Sequence, residues 1–132
     1  MKTQELEDMI RGYLRERGWD KLRPSDLAKS IVIEGAELLE LFQWDNPELK
    51  IVKQDKKKLG VISGELADVL IYCFDLAVLL DLDVSKIIID KLNRVKKKYP
   101  AKLMKSNAKS GAGSGEDSEY WRIKKEYRRK GE

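Results

Sequence analysis

Two segments decide the fold of this chain: SIVIEGAELLELFQW at residues 30–44 and SGELADVLIYCFD at residues 63–75. In both, apolar residues recur at intervals of three and four, which is the period of an amphipathic α-helix. Each segment also carries a pair of acids three residues apart, Glu34 and Glu37 in the first and Glu65 and Asp68 in the second. Such a step puts both side chains on the same side of a helix, one turn apart. The two segments therefore predict facing helices that direct four carboxylates, Glu34, Glu37, Glu65 and Asp68, at one point.

Further helical patterns flank this pair, and the sequence shows no alternating strand pattern. Gly18 marks the end of the first helix and Pro24 the start of the second, in line with the preferences of these residue types at helix ends. Four helices with short connections predict an all-α, four-helix bundle. The predicted bounds of the first three helices are about 2–17, about 24–44, and a start in 53–58 with an end at about 80. The fourth helix is predicted to be capped by Asp83 or Ser85 and to end before Tyr99-Pro100.

The C-terminal part of the chain differs in composition from the rest. The 132 residues carry 27 Lys and Arg against 23 Asp and Glu, a net charge of +4. Residues 1–100 are balanced, with 18 basic and 18 acidic residues, whereas residues 101–132 hold 9 basic and 5 acidic ones. SGAGSG at residues 110–115 has the composition of a flexible linker. We therefore predict a domain at 1–105 and a basic tail at 106–132, which could form a short helix near 120–127.

The residue types available restrict the kind of metal site. The sequence has no histidine and a single cysteine, Cys73, which excludes a zinc site built from one chain. Carboxylate ligands suit Mg²⁺, and Mn²⁺ as an alternative. The four acids lie in apolar segments with no Lys or Arg four residues away, which favours a bound cation over a solvated helix face. Ordinary surface acids of a highly charged protein remain an alternative at this point.

Aromatic side chains are expected near the acids. At 100° per residue, Tyr72 and Asp75 fall on the side of the third helix that carries Glu65 and Asp68, and Trp44 falls near the acids of the second helix. An aromatic ring at the edge of an anionic, metal-binding cleft is a candidate platform for stacking a nucleobase. Packing of Trp44 and Tyr72 at helix ends is the alternative interpretation.

Taken together, EGAELLELFQW (34–44), ELADVLIY (65–72), Lys91 and Tyr99-Pro100 resemble the MazG-like nucleotide pyrophosphohydrolases, and among them the small dCTP pyrophosphatase type. The resemblance covers roughly residues 3–103. It implies an all-α fold that assembles into homodimers or homotetramers. It also implies hydrolysis of (deoxy)nucleoside triphosphates between the α and β phosphorus, giving monophosphate and pyrophosphate, with cleaning of the nucleotide pool as the expected cellular role.

The resemblance also implies roles for single residues. Glu34, Glu37, Glu65 and Asp68 match the family's metal ligands. Trp19 and Trp44 match aromatics that hold the base, Tyr72 matches a tyrosine of that pocket, and Lys91 matches a lysine that faces the phosphates. The chain departs from the family at Ile33, Arg23 and Val95, where relatives often have Glu, His and Asn.

Charge considerations complete the predicted mechanism. Glu34, Glu37 and Asp68 are the predicted catalytic residues, and Glu37 is favoured to orient the water that attacks phosphorus. Mg²⁺ would neutralise the charge that develops on the leaving pyrophosphate. Arg23 and Lys29, like Lys91, are candidates to contact phosphate oxygens.

Two other functions remain open on the sequence alone. One is hydrolysis of another pyrophosphate-linked nucleotide. The other is a non-catalytic helical interaction module, in which the basic tail with Tyr120, Trp121 and Tyr127 binds nucleic acid or a protein partner. We expect a cytoplasmic protein without a membrane span, because the N-terminal residues form no apolar signal core and the longest apolar stretch, 69–82, is too short for a bilayer.

Overall fold

The computed structural model of this protein describes residues 1–109 and 118–131. These residues form helices and no strand, so the predicted all-α class is confirmed. The helices are α1 (Thr3–Glu16), α2 (Pro24–Glu40), α3 (Leu49–Gln54), α4 (Lys56–Leu79), α5 (Val84–Lys98), α6 (Ala101–Lys109) and α7 (Glu119–Arg129). Within this described part of the chain, no helix is both long and apolar enough to cross a membrane.

The chain divides into two compact units, Met1–Val84 and Ser85–Glu132. The first unit contains α1 to α4, and the predicted fourth helix corresponds to α5, whose residues from Ser85 onward belong to the second unit. The domain boundary predicted after residue 105 falls inside α6. The predicted linker at residues 110–115 lies outside the described residues.

The core of the first unit lies between α1 and α4. Ile10, Leu14 and Val78 are buried against one another, and Leu6 and Phe74 pack at their edge. These residues repeat at helical spacing, so each helix turns one apolar face to the other. Gly18 ends α1 in the left-handed conformation at φ +68°, which glycine adopts without a steric penalty.

Helix α2 packs along α4, and α4 also contacts α1. The predicted continuation of α2 to Trp44 is wrong, since the helix ends at Glu40. Beyond it the backbone tightens into turns, with Phe42 N–H donating to Leu39 C=O at 2.9 Å and Gln43 N–H donating to Glu40 C=O at 3.2 Å. Hydrogen bonds of this i to i+3 type commonly close the last turn of a helix.

Helix α4 starts at Lys56, which lies in the predicted range of 53–58. The Asp55 side chain caps the helix by accepting a hydrogen bond from the Lys58 N–H at 2.9 Å. The Lys58 ammonium lies 3.0 Å from an Asp45 carboxylate oxygen and 5.4 Å from the centre of the Phe42 ring. One side chain at the start of α4 thus contacts the segment that follows α2. The short helix α3 was not predicted.

Val84, the last residue of the first unit, is hydrogen-bonded to α1. The Val84 N–H donates to the carboxylate of Glu7 at 3.0 Å, and Glu7 is buried. Asp81, in the preceding link, adopts a positive φ of 53° and pairs with Arg11 at 3.3 Å. Asp is one of the few residue types besides glycine that enters this region readily. The link at the end of α4 is therefore attached to α1 by a backbone hydrogen bond and an ion pair.

The second unit combines α5, α6 and α7. The rings of Tyr99 and Tyr120 stack with their centres 5.0 Å apart, and the Lys98 ammonium lies 4.2 Å from the centre of the Tyr127 ring. Ser118 caps α7, the helix expected near residues 120–127. Helix α6 was not predicted. It forms directly after Pro100, whose C=O accepts hydrogen bonds from the backbone of Leu103 and Met104.

Candidate active site

Three of the four predicted metal ligands form a cluster between α2 and α4. One carboxylate oxygen each from Glu34, Glu37 and Glu65 can be chosen so that all three lie within 4.8 Å of one another. Glu34 and Glu65 are partly buried, whereas Glu37 is exposed. In residues 1–109 and 118–131, no other group of acids, cysteines or histidines meets this condition. We call these three residues the acid cluster.

The charges of the cluster are not balanced by bases. Partial desolvation raises the pKa of Glu34 above its ordinary value of 4.5, and the negative charges of Glu37, Asp68 and Glu65 raise it further. Asp68 is thus close enough to act on Glu34, although it lies outside the group of three. None of the ion pairs formed among the described residues involves any of these four acids. Oxygen ligands with unbalanced negative charge fit a hard divalent cation such as Mg²⁺.

A cavity of about 370 Å³ adjoins the acid cluster in the first unit, and Asp68 lines it. Its wall is largely apolar and aromatic, with a small number of polar side chains, which is the usual make-up of a small-molecule site. The aromatic lining residues are Tyr13, Trp19 and Tyr72, the aliphatic ones are Leu22, Leu27 and Ile71, and the polar ones are Asp26, Ser30, Asp68 and Asp75. We call this space the aromatic cavity.

The turn after α1 positions Trp19. Its N–H donates to the Leu14 C=O at 2.9 Å, an arrangement made possible by the positive φ of Gly18. The Trp19 ring then meets the Tyr13 ring edge to face, with centres 5.8 Å apart and an angle of 72° between planes. About half of Trp19 remains exposed, so the protein covers its side chain only in part.

Asp75 is the most deeply buried polar residue of the cavity wall, with 4% of its surface exposed. Its Oδ1 atom is buried and receives no hydrogen bond from any described residue. Burial raises the pKa of this carboxyl group. Since buried carboxyl oxygens almost always have a partner, this atom needs an explanation.

The structure brings together part of the predicted substrate-binding set. Trp19 and Tyr72 line the aromatic cavity, and Trp44 does not, since it lies beyond the end of α2 and is 90% exposed. Arg23 precedes α2 as its N-cap residue, and Lys29 forms an exposed ion pair with Asp26 at 3.6 Å. Lys91 is in the second unit, where it lines a cavity with Arg94, Lys97, Lys98 and Tyr127.

Tyr13 and Asp75 are two of the lining residues that had no predicted role. Tyr13 lies three residues after the core residue Ile10 and six before Trp19, so its position beside the apolar face of α1 was the available signal. Asp75 was placed on the correct side of its helix by counting. Its burial depends on what lies across from α4, and the sequence pattern does not contain that information.

Comparisons with known proteins show the family to which the chain belongs. The model of the MazG-like family matches residues 29–112. The structure is also similar to the crystal structure of a pyrophosphatase from Archaeoglobus fulgidus, with a TM-score of 0.65 and 36% identity, covering 74% of this chain and 92% of that chain. The chain therefore belongs to the MazG-like family, as the resemblance predicted.

Curated relatives carry the name dCTP pyrophosphatase 1. The protein from Rattus norvegicus is 33% identical over 108 residues, which are 78% of this chain and 64% of that protein. The protein from Homo sapiens is 32% identical over 109 residues, 79% of this chain and 64% of that protein. The chain thus spans slightly less than two thirds of the length of these relatives.

Proposed function

We propose that this protein is a nucleoside triphosphate pyrophosphohydrolase that depends on Mg²⁺ and releases monophosphate and pyrophosphate. The observation that carries this proposal is that the acid cluster adjoins the aromatic cavity, with Asp68 belonging to the surroundings of both. Such a site has room for an aromatic base on one side and a charged phosphate chain on the other. The names of the relatives make dCTP the first substrate to test.

The acids would hold the cation. Glu34, Glu37 and Glu65, with Asp68 beside them, supply the carboxylate oxygens that Mg²⁺ prefers, and Mn²⁺ accepts the same ligands. A cation bound there would neutralise the negative charge that develops on the leaving pyrophosphate. The repulsion that raises the pKa of Glu34 supports this assignment, because a cation would relieve it.

The remaining roles fall to side chains of the cavity and its edge. Trp19 and Tyr72 would stack on the base and orient the nucleotide, so that its phosphates reach Asp68. Glu37, the exposed member of the cluster, would accept a proton from the attacking water. Arg23, Lys29 and Lys91 remain candidates for phosphate contacts, and the exposed pair of Lys29 with Asp26 is weak enough to be exchanged for a phosphate.

The first experiment measures pyrophosphate release from the common dNTPs and NTPs, with Mg²⁺ and with Mn²⁺. We expect Glu37→Gln and Asp68→Asn to lower kcat/KM by roughly 100-fold or more, as is typical when a group acting on the reacting atoms is removed. Glu48→Gln is the matched control, since Glu48 is an exposed acid outside the site. Absence of pyrophosphate release from every nucleotide would contradict the proposal and favour a non-catalytic module.

A homo-oligomer in the cytoplasm is part of the same proposal. Helices α2 and α4 carry large apolar side chains with much of their surface exposed, among them Val32 at 70%, Leu39 at 67% and Leu70 at 48%. Exposed apolar surface of this kind is usually covered by a partner. A second copy of the chain is the partner that the family resemblance implies.

A further inference from the structure

The buried carboxyl group of Asp75 is not used by the proposed mechanism. It belongs to the wall of the aromatic cavity, and its Oδ1 atom has no hydrogen-bond donor among the described residues. Burying a carboxyl oxygen without a partner costs free energy that the fold must offset elsewhere. A ligand in the cavity that brings a donor to this atom would recover part of that cost. The unpaired Oδ1 atom of Asp75 therefore indicates a ligand that carries a hydrogen-bond donor at this point.

The position of Asp75 indicates which end of a nucleotide it would meet. Asp68, Tyr72 and Asp75 follow one another at steps of four and three residues, so they form a row along one side of α4. The helical rise of 1.5 Å per residue separates Asp68 from Asp75 by about 10 Å along the axis. That separation is on the scale of a nucleotide. With the phosphates near Asp68 and the base against Tyr72, the outer edge of the base reaches towards Asp75.

We propose that Asp75 is a specificity-determining residue that accepts a hydrogen bond from an exocyclic amino group of the nucleobase. This inference rests on the function proposed above and adds the chemical class of the base. Cytosine and adenine carry such an amino group at position 4 or 6 of the base, whereas uracil, thymine and guanine present a carbonyl oxygen there, and the amino group of guanine lies at position 2. A carboxyl oxygen facing that carbonyl would meet a second acceptor, which disfavours the oxo bases.

The contact does not depend on the charge of Asp75. An ionised carboxylate has two acceptor oxygens, and a protonated carboxyl group keeps acceptor capacity beside its O–H. In the protonated form the O–H could in addition donate to the ring nitrogen next to the amino group of cytosine. The amino group is the shared requirement of both forms.

The test uses dCTP and dUTP, which differ only in an amino or an oxo group at position 4 of the base. We expect wild-type protein to prefer dCTP in kcat/KM by on the order of 10- to 100-fold, the discrimination expected when a buried polar group is left unpaired by the wrong substrate. Asp75→Leu removes both oxygens at similar size and should bring the ratio close to one, mainly through loss of activity on dCTP. Asp75→Asn keeps an acceptor oxygen and should retain most of the preference.

Binding of the products separates this inference from the proposed hydrolysis. Titration calorimetry with dCMP and dUMP should show tighter binding of dCMP to the wild-type protein and loss of that difference in Asp75→Leu. If the wild-type protein binds dCMP selectively but releases no pyrophosphate from any nucleotide, the proposed function is wrong and the role of Asp75 stands. If the wild-type protein binds dCMP and dUMP equally, the role of Asp75 is overturned whether or not hydrolysis occurs.

The comparison of dCMP and dUMP binding uses the wild-type protein, so the inference can be tested even if a variant does not fold. Asp75→Leu should fold, because it replaces an unpaired buried carboxyl group with an apolar side chain, and thermal unfolding will verify this. A folded Asp75→Leu variant that keeps the full preference for dCTP would overturn the inference. So would a variant in which activity on dCTP and dUTP falls by the same factor.

Discussion

Glu34 shows how much of the chemistry of this site is contained in a single residue. Its carboxyl group is partly desolvated between α2 and α4, and three further acids act on it. Burial and like charges both favour the protonated form, so the pKa of Glu34 rises above 4.5. The same surroundings that make ionisation unfavourable make a divalent cation favourable.

This electrostatic balance predicts a pH dependence of stability in the absence of a divalent cation. The folded chain holds the Glu34 proton more tightly than the unfolded chain does. The contribution of Glu34 is therefore fully present below the unfolded pKa and is lost as the pH rises through the raised pKa of the folded state. We expect Glu34→Gln to flatten this part of the stability profile, measured by thermal unfolding between pH 4 and pH 7.

Cation binding should show the opposite trend. Affinity for Mn²⁺ or Mg²⁺ should fall as the pH is lowered through the raised pKa of Glu34, because proton and cation compete for the same oxygens. Titration calorimetry measures this directly, with Glu48→Gln as the matched control. An unchanged pH profile in Glu34→Gln would show that Glu34 is not the titrating group.

Among the secondary-structure elements, α4 contributes most to the site. It supplies Glu65 and Asp68 as well as Tyr72 and Asp75, and it packs along α2 and against α1. Two glycines, Gly60 and Gly64, lie inside this 24-residue helix, and nothing lies within 4 Å of a Cβ atom added at either position. The helix therefore carries an avoidable entropic cost near its start.

Substitution of Gly60 tests whether a glycine inside α4 lowers the stability of the protein. Gly60→Ala should raise the free energy of unfolding by roughly 0.5–1 kcal/mol, since alanine is the better helix former and the space is open. Gly18→Ala should lower it by about 1–2 kcal/mol, because φ +68° is unfavourable for a residue with a Cβ atom. Urea unfolding of both variants gives the comparison. Equal effects of the two substitutions would contradict the explanation.

Helix prediction from the sequence worked where apolar periodicity was long and failed where it was short. The patterns in α1, α2 and α4 extend over several turns and located each helix to within a few residues. Helix α3 has six residues, too few for a periodic pattern. Helix α6 was missed because Pro100 was interpreted as a terminator, whereas α6 begins at the next residue, Ala101.

The sequence predicted those residues of the site that lie on one face of a single helix. Counting placed Glu65, Asp68 and Tyr72 together, and the structure has Asp68 and Tyr72 in the same wall. Trp44 was expected near the acids because α2 was extended to include it, and the early end of α2 removes that argument. Tyr13 comes from another helix, and only tertiary packing brings it beside Trp19.

For the molecule as a whole, the exposed apolar residues of α2 and α4 form regular rows. Val32, Ala36 and Leu39 follow one another at helical spacing on α2, and Leu59, Leu66 and Leu70 do so on α4. Every side chain of the two rows is exposed. This arrangement is typical of a surface that a second copy covers.

Charge substitution on one row tests the proposed oligomer. Val32→Arg combined with Leu39→Arg should dissociate the assembly, because association would then bury unpaired charges. Light scattering after size-exclusion chromatography measures the mass of each form. Gln4→Arg is the control for added charge, since Gln4 is exposed on α1. A wild-type protein that elutes as a monomer at high concentration would show the proposal to be wrong.

Asp68 lies beside the acid cluster and also in the wall of the aromatic cavity. A side chain shared in this way makes the cation and the base linked ligands, since each changes the state of a group that the other contacts. Thermodynamic reciprocity then requires that a cation which strengthens binding of a nucleotide is itself held more tightly, by the same factor, when that nucleotide is bound. The base that the cavity prefers would therefore help to determine how much free cation the protein needs.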